Sequence, residues 1–152
     1  MGGVQGRASP SARRGIQPLT RTVPVRKRGV AGRSAAVRRG RLAEARAEAW
    51  LVEQGLQVLG RRVRCADGEL DLILLDADGC VVFVEVRQRG DGARMAAVET
   101  LTQGKQERLR RAALAWLQAH PAHQERSCRC DVIVLAGSRV GTATVEWLQA
   151  VW

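Results

Sequence analysis

Two apolar segments separated by a short polar turn constrain the fold of this chain more than any other feature. The segments are ELDLILL at 69–75 and CVVFVEVR at 80–87, with DADG ending at Gly79 between them. Short runs rich in Val, Ile and Leu that flank turn residues are typical of a β-hairpin. Apolar residues occupy both alternating positions of each run, which predicts strands that are covered on two faces.

Helical periodicity on the N-terminal side of the hairpin predicts a first helix from Arg39, with Gly55 just past its end. Its predicted apolar face consists of Leu42, Ala45, Ala49 and Val52. Residues 56–65 alternate loosely and predict an edge strand.

On the other side of the hairpin, a second helical pattern runs to about Ala119, and CDVIVLA at 130–136 predicts another strand. The C-terminal TATVEWLQAVW predicts a short strand followed by a helical turn. This order of elements predicts an α/β domain with a mixed sheet flanked by helices.

The charge distribution separates a basic arm from a neutral domain. The chain has 25 Lys and Arg against 15 Asp and Glu, yet residues 1–40 contain no acid and hold the entire excess. Residues 1–38, rich in Gly, Pro, Ser and Arg, are expected to be disordered, and residues 39–152 to form one domain. The arm has four interpretations: a phosphate-binding segment, a solvated extension, the product of a misassigned start codon, or an organellar transit peptide.

The remaining composition excludes several protein classes. No run of 18 apolar residues is present, and no apolar segment follows the basic N-terminus, so we expect neither a membrane span nor a secretory signal. The spacing of the four cysteines does not match a zinc site, and they are expected to be reduced and packed as small apolar residues in a cytoplasmic protein. The cysteines are Cys65, Cys80, Cys128 and Cys130.

The hairpin also carries acids among its apolar residues. If Gly79 is the left-handed residue of a three-residue loop, positions whose numbers sum to 156 face each other. Asp71 then lies opposite Glu85, and Glu69 lies opposite Arg87. Like charges opposite each other are unfavourable, and a divalent cation such as Mg²⁺ or Mn²⁺ would relieve the repulsion. A loop one residue shorter or longer would send the two acids to opposite faces.

The motifs GELDLI at 68–73 and VFVEVR at 82–87 resemble the hairpin of the YraN-like family of uncharacterised proteins. AEARAEAWLVEQG and KQERLRRAALAWL resemble the two helices of that family, and CDVIVL resembles its later strand. The resemblance covers about residues 39–152. It implies a restriction-endonuclease-like αβββαβ core, related to Holliday-junction resolvases.

The resemblance also implies a nuclease constellation of two acids and a lysine. Asp71 and Glu85, with 13 residues between them, take the acidic positions and are the candidate metal ligands. Arg87 stands where the motif has lysine; it can stabilise a phosphate but cannot carry a proton, because a guanidinium group stays charged in proteins. Glu44 on the first helix is a further candidate, as a ligand or to orient the attacking water, and a solvated helix charge is the equal alternative.

Three basic residues are candidate contacts to nucleic acid: Arg89, Lys105 and Arg108. The absence of net charge in residues 41–152 favours instead a solvated helix surface for them. Three functions remain open: a Mg²⁺- or Mn²⁺-dependent endonuclease acting on DNA (branched or single-stranded) or RNA, a non-catalytic nucleic-acid-binding module, and a protein-interaction scaffold.

Overall fold

The computed structural model describes residues 30–65, 68–90 and 101–152 as a five-stranded mixed sheet between two long helices. The helices are α1 (Val30–Glu53) and α2 (Gln103–Ala119). The strands are β1 (Gln57–Cys65), β2 (Gly68–Leu75), β3 (Val81–Arg89), β4 (Cys128–Ala136) and β5 (Thr144–Leu148). Two short 3-10 turns, Pro121–His123 and Val140–Thr142, precede β4 and β5. The predicted α/β class and the αβββαβ order are confirmed, and β5 is the short C-terminal strand that the sequence predicted.

Spatial order in the sheet follows the chain, β1-β2-β3-β4-β5. Every neighbouring pair is antiparallel except β3 and β4, which are parallel. Two parallel neighbours require a crossover connection, and α2 provides it. The central strands β2, β3 and β4 are therefore covered on both faces, which accounts for their nearly continuous apolar sequences.

Each helix covers one face of the sheet. Against α2 pack Ile73, Val81, Phe83, Cys130 and Val132, and against α1 pack Leu72, Leu74, Val82, Val84 and Ile133. Leu109, Ala112, Ala113, Trp116 and Leu117 are the buried residues of α2. The alternation along β3 thus divides its side chains between two separate cores.

The buried face of α1 differs from the predicted one. Ala43, Ala47 and Leu51 are buried against the sheet, whereas Leu42 and Val52 are 54% and 49% exposed. Ala43 and Ala47 are small and four residues apart, so they let this part of the helix approach the sheet closely, whereas Leu51 fills the space farther along it. The helix also begins at Val30 rather than Arg39. The part of the predicted arm before Val30 lies outside the described residues.

The predicted C-terminal helical turn is wrong. After β5 the chain passes Ala150, which has a φ of 50°, and then runs beside β4. Val151 donates its N–H to the carbonyl of Cys130 at 2.8 Å, and Cys130 donates to the carbonyl of Trp152 at 3.3 Å. Asp131 holds this path because its Oδ1 accepts the N–H of Ala150 at 2.9 Å. A buried carboxylate therefore competes successfully with the local helical preference.

The predicted hairpin register is confirmed. Leu72 pairs with Val84, Ile73 with Phe83, Leu74 with Val82 and Leu75 with Val81. Asp76 and Cys80 close a three-residue loop through a 3.0 Å hydrogen bond from N–H to carbonyl, and Gly79 adopts a φ of 80°. Oδ1 of Asp76 also accepts hydrogen bonds from the backbone N–H groups of Asp78 and Cys80, and these bonds stabilise the turn.

Candidate functional site

The site begins where β2 and β3 part. Their paired register ends at Leu72 and Val84, one step before Asp71 and Glu85. At that point Oδ2 of Asp71 accepts the backbone N–H of Val86 at 2.9 Å. The carboxylate thus takes the position that a backbone carbonyl would take in a continued ladder. A side chain in this role is held rigidly, because its anchor is the backbone of a central strand.

Glu85 lies next to this fork and is the most deeply buried acid of the site, with 7% of its side chain exposed. Lys105 in the first turns of α2 donates from Nζ to Oε1 of Glu85 at 2.5 Å. Nε of Arg87 lies 3.2 Å from the same oxygen, in ion-pair contact without hydrogen-bond geometry. The positively charged side chains of Lys105 and Arg87 therefore compensate a carboxylate whose burial alone would be unfavourable.

Asp71 has the most perturbed acid–base equilibrium of the site. Burial raises its pKa to about 7, and the negative charge of Glu85 acts in the same direction. The hydrogen bond from Val86 and the charge of Lys105 only partly oppose this. Asp71 is therefore protonated in an appreciable fraction of molecules at neutral pH, and it gains negative charge as the pH rises through 7.

Glu44 and Glu69 extend the acidic region toward β1. Burial raises the pKa of Glu44, and the charges of Glu69 and Glu85 raise it further against the opposing effect of Arg62. Nε of Arg62 lies 3.7 Å from Glu44 and 3.4 Å from Glu69. Glu69 also pairs with Arg64 at 3.1 Å, so its ion pairs are with β1 rather than with Arg87 as the register alone predicted. A left-handed φ of 49° at Arg62 turns that side chain toward both acids.

The acids line one side of a cleft of about 280 Å³ between the forked strands and α2. Its lining comprises Gly68, Glu69, Asp71, Glu85, Lys105, Arg108 and Leu109. Glu44 lines a different cleft, with Arg41, Arg61 and Arg62, on the α1 side of the sheet. Of the three predicted basic contacts, Lys105 and Arg108 lie at the acidic cleft, whereas Arg89 lines a third cleft at the end of β3.

The side chains of this cleft suit a hard cation with few protein ligands. In residues 30–65, 68–90 and 101–152, no group of three or more His, Cys, Asp or Glu residues is arranged to hold a metal ion. A closed structural metal site is therefore absent from these ranges. Mg²⁺ commonly uses one or two carboxylates and completes its shell with water and substrate phosphate, and Asp71 and Glu85 match that requirement. A cation bound between the two carboxylates would reduce the repulsion between their charges.

Comparison with known proteins identifies the family. The profile described as "Uncharacterised protein family UPF0102" matches residues 43–135. The chain is 45% identical over 112 residues to a UPF0102 protein of Pseudomonas putida strain GB-1, an alignment that covers 74% of this chain and 90% of the relative. The chain belongs to the UPF0102 family. The predicted YraN-like membership is thereby confirmed.

Two other UPF0102 relatives come from different bacteria. A protein of Alcanivorax borkumensis is 42% identical over 110 residues, covering 72% of this chain and 87% of the relative. A protein of Beutenbergia cavernae is 45% identical over 102 residues, covering 67% of this chain and 85% of the relative. In the described residues of this UPF0102 chain, no helix is long and apolar enough to cross a bilayer.

Lys105 is the site residue whose position the sequence did not reveal. It was assigned to a helix surface, whereas its ammonium group contacts Glu85. In this UPF0102 chain Lys105 is the only lysine of residues 41–152, where all other Lys or Arg positions are arginine. That exceptional lysine was a signal available in the sequence, because a position that accepts either cation would be expected to follow the bias toward arginine.

Proposed function

We propose that this protein is a Mg²⁺- or Mn²⁺-dependent endonuclease that hydrolyses phosphodiester bonds, with Asp71 and Glu85 as metal ligands. The observation that carries the proposal is the fork between β2 and β3, where a backbone-anchored carboxylate with a raised pKa lies beside a second buried carboxylate and a lysine. Perturbed acids of this kind in a cleft are typical of functional sites. The family membership is compatible with this function but does not establish it.

Each residue of the cleft has a distinct proposed role. A divalent cation held by Asp71 and Glu85 would supply Lewis-acid chemistry to the phosphodiester. Lys105 orients Glu85 and brings a positive charge close to the position where negative charge develops during hydrolysis. Lysine, unlike arginine, is used in proteins as a proton carrier, so Lys105 is the candidate to replace the motif lysine that is absent at Arg87.

Arg87 and Arg108 have electrostatic roles in this proposal. Arg87 restrains Glu85 from β3, and Arg108 at the cleft rim offers bidentate hydrogen bonds to a backbone phosphate. Glu44 lines a neighbouring cleft, apart from the two ligands, so in this proposal it is not a direct ligand of the same cation.

The proposal is tested with branched, single-stranded and duplex DNA and with single-stranded RNA, each incubated with Mg²⁺ or Mn²⁺. The variants Asp71→Asn and Glu85→Gln should lose at least about 100-fold in cleavage rate, as expected when charge stabilisation of a transition state is removed. Asp78→Asn is the matched control, because Asp78 is an exposed acid in the turn of the same hairpin. Equal cleavage by wild type and both site variants would identify a contaminating nuclease and refute the proposal.

Lys105 requires its own comparison. Lys105→Met should abolish cleavage, whereas Lys105→Arg should retain the pairing with Glu85 but lose the capacity for proton exchange. A rate for Lys105→Arg that matches wild type would restrict the residue to an electrostatic role. Arg87→Lys places a lysine at the motif position, and it should restore cleavage in the Lys105→Met background if the two positions serve the same purpose.

A non-catalytic nucleic-acid-binding module is the second candidate, and one observation favours it. Lys105 and Arg87 compensate Glu85 without any metal, so the buried charge does not by itself require a cation. In this case Mg²⁺ and Mn²⁺ produce no heat in calorimetry with the wild type. DNA or RNA binding would then be the same in the wild type and in Asp71→Asn.

A further inference from the structure

The outward face of α1 carries an apolar stripe that is exposed over three turns of the helix. The stripe consists of Leu42, Ala45, Ala49 and Val52. Leu42 and Val52 are 54% and 49% exposed, although both side chains are large and apolar. At 3.6 residues per turn, the four positions lie on one face of α1, opposite the residues that pack against the sheet. The helix is therefore apolar on two faces, and the sheet covers only one of them.

The spacing of this stripe is the same when it is read in either direction along the helix. Its members follow each other at intervals of three, four and three residues, so the stripe is symmetric about position 47. An antiparallel copy of α1 would place Leu42 against Val52 of the other copy, and Ala45 against Ala49. The small central residues allow the helix axes to approach to about 8 Å. A face that matches itself in this way favours a second copy of the chain as its partner.

The charges at the two ends of the stripe are complementary in the same arrangement. The N-terminal end carries the exposed Arg38, Arg39 and Arg41, and the C-terminal end carries the exposed Glu53. Arg41 and Glu53 are also symmetric about position 47, so an antiparallel copy brings each within reach of the other. Within the part of the chain that the structure describes, neither side chain forms a hydrogen bond or an ion pair. A parallel copy would instead oppose arginine to arginine, which is unfavourable.

The size of the stripe predicts a weak association. The face from Arg38 to Glu53 extends over about 23 Å, at about 1.5 Å per residue. One helix face of this length buries less than the roughly 1,200 Å² of a standard interface, so we expect a dissociation constant on the order of 0.1 mM. The net charge of +10 adds a repulsion between copies. Salt at about 0.15 M screens this repulsion beyond about 8 Å.

We propose that two copies of this chain associate through the outward faces of their α1 helices, which lie antiparallel about a twofold axis at position 47. Each copy contributes the same stripe, and each end of the interface pairs the arginines of one copy with Glu53 of the other. The acidic cleft lies against α2, on the other side of the sheet, so it stays open in both copies. The association does not depend on the proposed nuclease function, and neither proposal falls with the other.

Sedimentation equilibrium of the full-length protein measures the association, at about 0.01–0.5 mM protein in EDTA and about 0.15 M salt. The weight-average mass of the wild type should rise from that of one chain toward that of two. Leu42→Asp should weaken the association at least about tenfold, because it buries a charge in the interface. Leu114→Asp is the matched control, because Leu114 is 58% exposed on α2. A monomeric wild type over the whole range, or equal weakening by both variants, would overturn the proposal.

Two charge reversals test the antiparallel arrangement. Arg41→Glu places a glutamate opposite Glu53, and Glu53→Arg places an arginine opposite Arg41, so each variant alone should associate about tenfold more weakly than the wild type. An equimolar mixture should regain the wild-type association, because both pairs of the mixed dimer again have opposite charges. A mixture no stronger than its components would overturn the arrangement. A monomeric wild type that Leu42→Asp destabilises in thermal melts would overturn the second copy as partner, in favour of a segment of the same chain before Val30.

Discussion

The raised pKa of Asp71 makes the stability of the fold depend on pH in a direction that a single substitution can test. The pKa is 3.8 in the unfolded reference and about 7 in the fold, so the native state retains a proton that the unfolded chain has lost between these values. The corresponding stability is fully present below about pH 4 and is lost as the pH rises through 7. Asp71→Asn removes this titration while preserving the shape of the side chain and an acceptor for Val86.

The size of the effect follows from the shift. At about 1.4 kcal/mol for each tenfold change in proton affinity, the shift corresponds to about 4 kcal/mol. Asp71 is only partly shielded from water, so screening reduces the expected loss to about 2–3 kcal/mol between pH 4 and pH 8. For a domain of this size, that is a decrease in Tm of roughly 8–12 °C relative to the Asn variant.

Urea denaturation at pH 4, 5, 6, 7 and 8 and constant ionic strength measures the difference. The free energy of unfolding of the wild type should fall relative to Asp71→Asn as pH rises, whereas Asp78→Asn should parallel the wild type. Mg²⁺ at about 100 times its Kd should restore about 2.7 kcal/mol to the wild type at pH 8 and nothing to Asp71→Asn. Parallel curves for wild type and Asp71→Asn across the whole range would refute the raised pKa and the reasoning built on it.

Three further predictions concern the scaffold that holds the site. Asp131→Ala should destabilise the fold by about 3 kcal/mol or more in urea denaturation. The reason is that it removes the buried hydrogen-bond partner of Arg129, Trp147 and the N–H of Ala150. A loss of stability below about 1 kcal/mol would contradict this. Ala47→Leu should lower the free energy of unfolding by about 1–3 kcal/mol because it overpacks α1 against the sheet. Leu42→Ala, at an exposed position, should stay within about 0.5 kcal/mol of wild type. If thermal melts instead showed Leu42→Ala to be the more destabilising change, the originally predicted buried face of α1 would be the correct one. Gly79→Ala should lower the free energy of unfolding by about 1 kcal/mol, because Gly79 has a φ of 80° and the new Cβ would displace the Arg126 side chain. An unchanged unfolding midpoint would contradict the importance of this turn.

The hairpin could be predicted because its determinants are local. The apolar runs set the strands, and the position of Gly79 set the loop length and therefore the register. Once the register was known, the proximity of Asp71 and Glu85 followed from the geometry of paired strands. The parting of the strands at Asp71 did not follow, because it depends on a side chain that replaces a carbonyl in the ladder.

The face of α1 shows the limit of periodicity. Two apolar stripes run along this helix, one through Leu42 and Val52 and the other through Ala43, Ala47 and Leu51. The larger hydrophobic side chains of the first stripe favour its burial, but close packing of the helix against the sheet favours burial of the second stripe. The choice depends on the shape of the partner surface, which a single helix sequence does not contain.

Lys105 shows that part of the site is a property of tertiary packing. Leu109, Ala112 and Trp116 seat α2 against the sheet, and this packing carries Lys105, one turn before Leu109, to the oxygen of Glu85. A lysine delivered by a helix reaches the acids only when the helix is docked, whereas a lysine on β3 would be present whenever the hairpin forms. Changes that loosen α2 should therefore weaken the function of the site before they unfold the sheet. The packing of α2, rather than a position in the hairpin motif, decides whether Glu85 has a lysine partner.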